Sequence, residues 1–353
     1  YRKRDRSGTL HPKSATAGEP VVKGMILAAG FGTRLRPLTQ VLPKPMFPLL
    51  NRPLLSHSIQ MLRSANIREI AVNIHHLAET IIGHFGDGAS HGVKLHFSKE
   101  EKILGTAGGI KALEGFLDGG LFFVINSDIV ADIDLNRVVE FHKRKASCLT
   151  LVAREDISPE QYDPIEIDED GRVVHFVGAS SMNLPDFTRR VMFTGIQIME
   201  PEIFSQIPTG IFCGTTEDIF PQMVEEGLPV YGFLHEGYWI DMGNRQNYIH
   251  VHEDALDGKF HLKKGPSHVP DGPLIIPPVQ IGKDCSIAKD VQIGPYAVLG
   301  NGCTVKHGAI IEHSVLWEKV AAGAGAVIKN SVIAEKATVP DGSAIDGQSL
   351  IPA

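Results

Sequence analysis

A chain of 353 residues, 43% hydrophobic and 21% charged, has ordinary globular composition and enough length for two cores. Its formal net charge of -7 speaks against a general nucleic-acid or anionic-membrane surface, because such partners favour a basic excess. No stretch approaches the ~18 apolar residues of a membrane span, and Cys148, Cys213, Cys285 and Cys303 are scattered without a C-x-x-C pair, which points to reduced, cytoplasmic thiols rather than disulfides or zinc.

Residues 1–22 are basic, polar and aperiodic, lack the apolar core of a signal sequence, and read as a mobile extension. The apolar run 25–29 is short and closed by Gly30, so it reads as a buried strand that stops abruptly. Between Gly30 and Pro48 lie Gly32, Pro37, Pro43 and Pro45, a density that no continuous helix or central strand tolerates. That loop carries Arg34, Arg36 and Lys44. Glycines that let backbone N–H groups approach a ligand, with fixed cations beside them, make a phosphate cradle of the kind that follows the first strand of an α/β sheet. The P-loop pattern G-x-x-x-x-G-K-[ST] is absent after Gly30, and Leu35 stands where a dinucleotide fingerprint needs its third glycine.

Leu55, Ile59 and Leu62 then recur at helical spacing before a β-branched run at 70–74, which makes a βαβ unit. A second helical pattern near 77–85 leads to a strand at 93–97, and another buried strand, 121–125, ends at Asn126-Ser127-Asp128. Strands alternating with helices imply a mostly parallel, doubly wound sheet with ligands at the carboxyl ends of its strands, where both the cradle and Asp128 fall. His75-His76 has no third ligand at motif spacing and reads as a polar strand end. A helix at 135–145, a strand at 148–153, a hairpin at 166–176 around the Asp170-Gly171 turn, and a strand at 191–199 follow. Helix 217–226 and strand 230–234 lead to Asp241, which on its own could be a helix N-cap.

From 275 onward the pattern changes. Ile281, Ile287, Ile293, Leu299, Val305 and Ile311 fall every sixth residue, with a small or branched residue two positions before each. That stepping is the hexapeptide signature of a parallel β-helix, continued less regularly around Ser314 and Ser331, and the proline-rich stretch 262–278 is the linker. The domains expected are thus 23–260 and 261–353. Hexapeptide helices also occur in acyltransferases, for which His307 or His313 could be offered as a base, but this tract is short and both read as solvated corner side chains.

Gly30, Gly32, Thr33, Arg34, Leu35, Pro37, Leu38, Thr39, Pro43, Lys44, Pro45 and Met46 resemble the signature G-x-G-T-R-L-x-P-L-T followed by P-K-P-M of sugar-phosphate nucleotidylyltransferases. Leu104 to Gly108 is similar to that family's L-G-T-A-G, Thr194-Gly195-Ile196 to its T-G-I, and residues 239–243 to its W-x-D-x-G. The chain is most similar to mannose-1-phosphate guanylyltransferases with a β-helix tail. The resemblance implies a Rossmann-like doubly wound mixed sheet followed by a left-handed parallel β-helix, and transfer of a nucleotidyl group from an NTP to a sugar 1-phosphate.

By the same resemblance Asp128 and Asp241 hold Mg²⁺, Arg34 stabilises the departing pyrophosphate, and Lys44 neutralises the α-phosphate or the incoming phosphate. Nucleotide contacts are implied at Leu27, Ala28, Gly30, Gly32, Thr33, Arg34, Gly105, Thr106, Ala107 and Asn126, and sugar contacts at Lys44, Glu166, Thr194 and Gly195. Many relatives continue the hairpin into E-K-P, whereas Val177-Gly178-Ala179-Ser180 stands here, which leaves the sugar open. Uridylyl or thymidylyl transfer to glucose or amino-sugar phosphates is the alternative chemistry, and a regulatory homologue that only binds NDP-sugar is a third reading. A homo-oligomer through the β-helix is expected, with no nucleic-acid or membrane partner.

Overall fold

The computed structural model describes residues 22–155, 165–182, 185–262 and 266–353, so the N-terminal extension up to residue 21 lies outside the described residues. The strand Lys23–Ala28 sits at the centre of a ten-stranded sheet, parallel to Glu69–Ile74 on one side and Phe122–Asn126 on the other, with Met25 opposite Ala71 and Val124. Lys94–Lys99 extends the parallel half beyond Glu69–Ile74. The two central strands Lys23–Ala28 and Phe122–Asn126 are buried on both faces, which explains their apolar runs: Met25, Phe122 and Val124 pack into one core and Ile26, Phe123 and Ile125 into the opposite one.

Arg189–Met199 runs antiparallel beside Phe122–Asn126 and changes the sheet from parallel to mixed. Along its length it also pairs with Leu149–Glu155 and with the hairpin strand Ile165–Ile167, and its register with Leu149–Glu155 slips between Phe193 and Gln197. Gly195 lies in that slip at φ +78°, where an added Cβ would be 2.8 Å from the Asn126 side-chain nitrogen. The irregularity thus seats Asn126 at the carboxyl end of its strand.

The L-G-T-A-G stretch opens a helix, Gly105–Lys111. One element differs from the periodicity reading: the helix expected over 217–226 begins as a π-turn, Thr215–Ile219, before Phe220–Glu225.

The C-terminal strands stack in three parallel sheets of five, five and four strands, the arrangement of a left-handed β-helix. Successive coils are offset by eighteen residues at first, as in Gln292 opposite Ile310, and by seventeen afterwards, as in Val315 opposite Val332. The missing residue is at one corner. Three residues separate Ile293 from Ala297, but only two separate Ile311 from Ser314 and Ile328 from Ser331. At the short corners a buried serine takes over part of the pairing: Ser331 N–H donates to Ser314 Oγ at 3.1 Å, and Gln348 N–H to Ser331 Oγ at 3.0 Å. The irregular continuation of the six-residue pattern therefore has a definite cause.

One sheet of the β-helix is covered by the rest of the chain. Ala297, Leu299, Leu316 and Ile333 fill its interior, while Val298, Val315, Trp317 and Val332 face outward into a core shared with Leu38, Phe47, Leu49 and Tyr248. The Phe47 and Trp317 rings lie 4.8 Å apart, and Trp317 Nε1 donates to the Tyr248 hydroxyl at 3.1 Å. His313 is tied into the same junction by Glu253 Oε1 at 2.7 Å, which is not the situation of a free catalytic base.

Candidate active site

Two cavities meet at the carboxyl ends of Lys23–Ala28 and Phe122–Asn126, sharing Gly30 and Asp128. The smaller, about 260 Å³, is lined by Ala28, Gly30, Gly32, Thr33, Arg34, Lys44, Pro45, Ser127, Asp128 and Gly243. Gly30 has nothing within 4 Å of where a Cβ would stand, so its backbone is open to a ligand, whereas Gly32 adopts φ +60° and would press a Cβ against Thr39 at 2.9 Å. His76 supports this loop through the Thr39 carbonyl at 2.7 Å, and His75 bonds the Glu100 carbonyl at 2.8 Å, so the histidine pair is structural.

Asp128 and Asp241 are brought together by a two-stranded ribbon. Ile129–Ala131 pairs antiparallel with Trp239–Asp241, Asp241 lies opposite Ile129, and Met242 N–H donates to the Asp128 carbonyl at 3.0 Å. Lys44 Nζ is 2.5 Å from Asp128 Oδ2 and 4.0 Å from Asp241 Oδ1, and Arg34 reaches Asp241 Oδ2 at 3.9 Å. Gly243 makes room for Arg34, since a Cβ there would meet its guanidinium at 2.7 Å. Burial, and then the charge of Asp128, push the Asp241 carboxyl upward, against the pull of Lys44 and Arg34.

Asp241 Oδ1 is buried and makes no hydrogen bond, so its lone pairs face an unmet demand for positive charge. Two hard carboxylates, one with an orphaned oxygen, fit a magnesium ion that takes the rest of its shell from water and phosphate oxygens. Among the described residues no group of three or more acidic, histidine or cysteine side chains could hold a metal by itself.

The larger cavity, about 500 Å³, is lined by Leu27, Ala29, Gly30, Asn73, Glu100, Ile103, Gly105, Thr106, Asn126, Asp128, Phe212, Gly214 and Glu217. Its base is stitched by a buried amide. Asn73 Oδ1 accepts Ala28 N–H at 2.9 Å, Asn73 Nδ2 donates to Glu100 Oε1 at 2.8 Å, and Glu100 Oε2 accepts Leu104 N–H at 3.0 Å. Neither Asn73 nor Glu100 belongs to the motifs singled out in the sequence. A polar residue inside the apolar run 70–74 was the available signal for Asn73.

Leu27, Ala28, Gly30, Gly32, Thr33, Arg34, Lys44, Gly105, Thr106, Asn126 and Asp128 all line one of the two cavities, and Asp241 contacts the cations of the smaller one. Three expected contacts are placed elsewhere. Ala107 is fully buried and spends its N–H on the Cys213 carbonyl at 3.0 Å, so it presents nothing to a ligand. Thr194 is 1% exposed and donates its hydroxyl to the Val152 carbonyl at 2.7 Å, a sheet-internal bond inside the register slip. Glu166 lines neither cavity and accepts the Thr188 hydroxyl at 2.7 Å. Gly195 acts through Asn126, on which it packs.

A mixed sheet whose parallel half carries a glycine-arginine cradle, two facing carboxylates and an adjoining cavity at its strand ends is the layout of an enzyme that handles a nucleoside phosphate. Residues 23–258 match the family model described as nucleotidyl transferase, and residues 275–353 match that of the GMPPB C-terminal domain. The chain belongs to the nucleotidyl transferase family. It is 31% identical to the UTP--glucose-1-phosphate uridylyltransferase of Synechocystis sp. over 84% of this chain and 83% of that protein. It is 31% identical to the mannose-1-phosphate guanylyltransferase 1 of Arabidopsis thaliana over 81% and 79%, and 28% identical to the mannose-1-phosphate guanylyltransferase of Mycobacterium tuberculosis over 82% and 83%. Among solved structures, HddC from Yersinia pseudotuberculosis superposes with a TM-score of 0.56 at 25% identity, covering 66% of this chain and 99% of that one.

Proposed function

We propose that this chain transfers a guanylyl group from GTP to mannose 1-phosphate, giving GDP-mannose and pyrophosphate. The observation that carries the reading is the convergence of Lys44, Arg34, Asp128 and Asp241 on one wall of a cavity that opens into a second one of nucleoside size. The mannosyl relatives support the sugar. The edge of the larger cavity supports the base: Glu217 is an exposed carboxylate acceptor there, suited to the adjacent N–H donors of guanine.

No nucleophilic side chain is required, because the sugar phosphate oxygen attacks the α-phosphorus in line and the chain contributes position and charge. Lys44, mostly buried against Asp128, is held where it neutralises the α-phosphate or the incoming phosphate. Arg34, largely exposed at the cavity mouth, is placed to follow the departing pyrophosphate. The open backbone at Gly30 adds N–H donors without a side chain in the way. Asp128 and Asp241 would hold Mg²⁺, which when bound supplies charge neutralisation to the phosphates.

Uridylyl transfer to glucose 1-phosphate is the competing reading, favoured by the Synechocystis relative. A matrix of four NTPs against mannose, glucose, N-acetylglucosamine and heptose 1-phosphates, read by pyrophosphate release in Mg²⁺, separates them. GTP with mannose 1-phosphate is the expected maximum. A UTP or dTTP preference sinks the guanylyl assignment, and silence with NDP-sugar still bound favours a regulatory protein. The proposal also includes a homo-oligomer through the β-helix, whose last strand, Ser349–Leu350, pairs on one side only among the described residues. Light scattering that shows a 38 kDa species alone would count against it. The four cysteines are free, as suits a reducing compartment.

A further inference from the structure

The larger cavity has a wall that none of the sequence motifs describes. Residues 208–214 form a loop anchored through its backbone and the buried Cys213, with Ile211 and Phe212 exposed. Cys213 N–H donates to the Leu104 carbonyl at 2.9 Å, the Cys213 carbonyl accepts from Ala107 and Gly108 at 3.0 and 3.1 Å, and Thr215 N–H donates to Thr106 Oγ1 at 2.7 Å. The glycines of L-G-T-A-G are spent on this contact: a Cβ on Gly105 would stand 2.4 Å from the Cys213 carbonyl oxygen, and one on Gly108 would stand 2.9 Å from that of Ile211. Between those anchors Phe212 is 71% exposed while lining the cavity together with Leu27, Gly105 and Gly214.

An unburied phenyl ring held on a rigid backbone at the wall of a nucleoside-sized space is a surface made for a flat apolar partner. The other exposed ring near the cleft, Phe31, does not compete for that role. It packs edge-on against His75 at 5.3 Å and lines neither cavity. We propose that Phe212 stacks on the nucleobase and thereby favours a purine over a pyrimidine nucleotide. The proposal rests on the reading that the larger cavity receives the base. A purine offers two fused rings to the phenyl face, and stacking of this kind is lost with the ring rather than with any hydrogen bond.

The test uses the full chain with Phe212→Ala and Phe212→Trp, and measures binding of GTP, UTP and inorganic tripolyphosphate by calorimetry beside steady-state kinetics. Loss of stacking is expected to weaken GTP binding about ten- to a hundredfold, UTP binding much less, and tripolyphosphate binding not at all. The kinetic loss is expected in KM for the nucleotide rather than in kcat. Phe212→Trp restores GTP binding and reports it through quenched indole fluorescence. GTP binding unchanged in Phe212→Ala overturns the proposal, as does an equal loss for all three ligands, which would mark a displaced loop. If wild-type protein turns over GTP while Phe212→Ala is unimpaired, the stacking role falls and the guanylyl reading stands. If wild-type protein binds GTP without releasing pyrophosphate, the guanylyl reading falls, and the stacking role is still decided by the binding ratios.

Discussion

The catalytic half and the β-helix are stabilised in different ways. In the former, polar groups are buried in quantity, including Asn73, Glu100, His142, His252 and Asp254, and each is committed to a particular neighbour or held neutral. In the latter, the described buried polar side chains are Gln280, Ser314 and Ser331, and the interior is a column of Ile, Leu, Val, Ala and Cys. Repetition lets each coil be satisfied by the next, whereas a site that must gather four charged side chains from distant parts of the chain needs non-local supports. The difference predicts where each half is vulnerable.

The largest expected effect is at the seam that joins them. Trp317 belongs to the β-helix, yet its ring meets Phe47, three residues after Lys44, and its N–H holds Tyr248. Trp317→Ala removes a buried aromatic and should cost about 3–5 kcal/mol, measured as a lower denaturation midpoint in one cooperative transition, together with reduced turnover. Two separate transitions in wild-type protein, or a loss under about 1 kcal/mol in the variant, would mean that the halves are independent.

Next in size is the carboxylate pair. Asp128→Asn and Asp241→Asn are each expected to lower kcat about 10²- to 10³-fold, the scale of losing one aligned electrostatic group, while the unfolding temperature stays near that of the wild type. A neutral amide is a poor ligand for a hard cation. Either variant with near wild-type turnover would remove its aspartate from the metal assignment.

Much of this candidate site was legible because its glycines and charges suit a phosphate ligand, whose chemistry leaves few alternatives. Gly30, Arg34, Lys44 and Asp128 are of that kind. L-G-T-A-G was legible as an element but not in its detail, since a glycine records that something comes close and not what comes close. At Gly105 the visitor is the Cys213 carbonyl of the same chain. Thr194 was singled out by its motif alone, and its hydroxyl lies buried against the Val152 carbonyl beside a register slip that period does not announce. In the β-helix the interior column was plain from the six-residue period, while the one-residue shortening of its corners shows only as the seventeen-residue spacing of Ser314 and Ser331.

Acid sharpens the comparison at a smaller scale. Burial holds the His252 ring neutral, pushing its pKa down to about 3, and burial, with Lys143 next, pushes His142 down to about 4. In the unfolded chain both titrate near 6.5, so above that pH they cost nothing, and below it the unfolded state takes up protons that the fold refuses. Stability should therefore fall by about 1.4 kcal/mol per pH unit for each ring, or about 2 kcal/mol each by pH 5. Thermal melts from pH 7.5 to 5 check this, and His252→Gln should flatten the slope by one ring's share. Neither histidine of the β-helix coils is enclosed in this way: His307 is exposed, and His313 is partly exposed beside Glu253. An unchanged slope in His252→Gln would assign the acid sensitivity elsewhere.

The smallest expected effects lie in the serine column, and they test whether each coil depends only on its neighbour. Ser314 Oγ donates to the Glu312 carbonyl at 2.7 Å and accepts from Ser331 N–H, a group fully enclosed in the next coil. Ser331 Oγ donates to the Lys329 carbonyl and accepts from Gln348 N–H, which lies in the half-buried last coil where water can replace the lost partner. Removing an acceptor from an enclosed donor costs more than removing one from a donor that water reaches. Ser314→Ala should accordingly cost about 2 kcal/mol and Ser331→Ala about 1 kcal/mol in denaturant unfolding, with turnover retained in both. If the bonds act between nearest neighbours alone, the double variant should cost slightly less than the sum, because the Ser331 N–H and Oγ then share one disturbed corner. A double variant that costs clearly more than the sum would show that the column is cooperative along its length, and would contradict the coil-by-coil account of this half of the molecule.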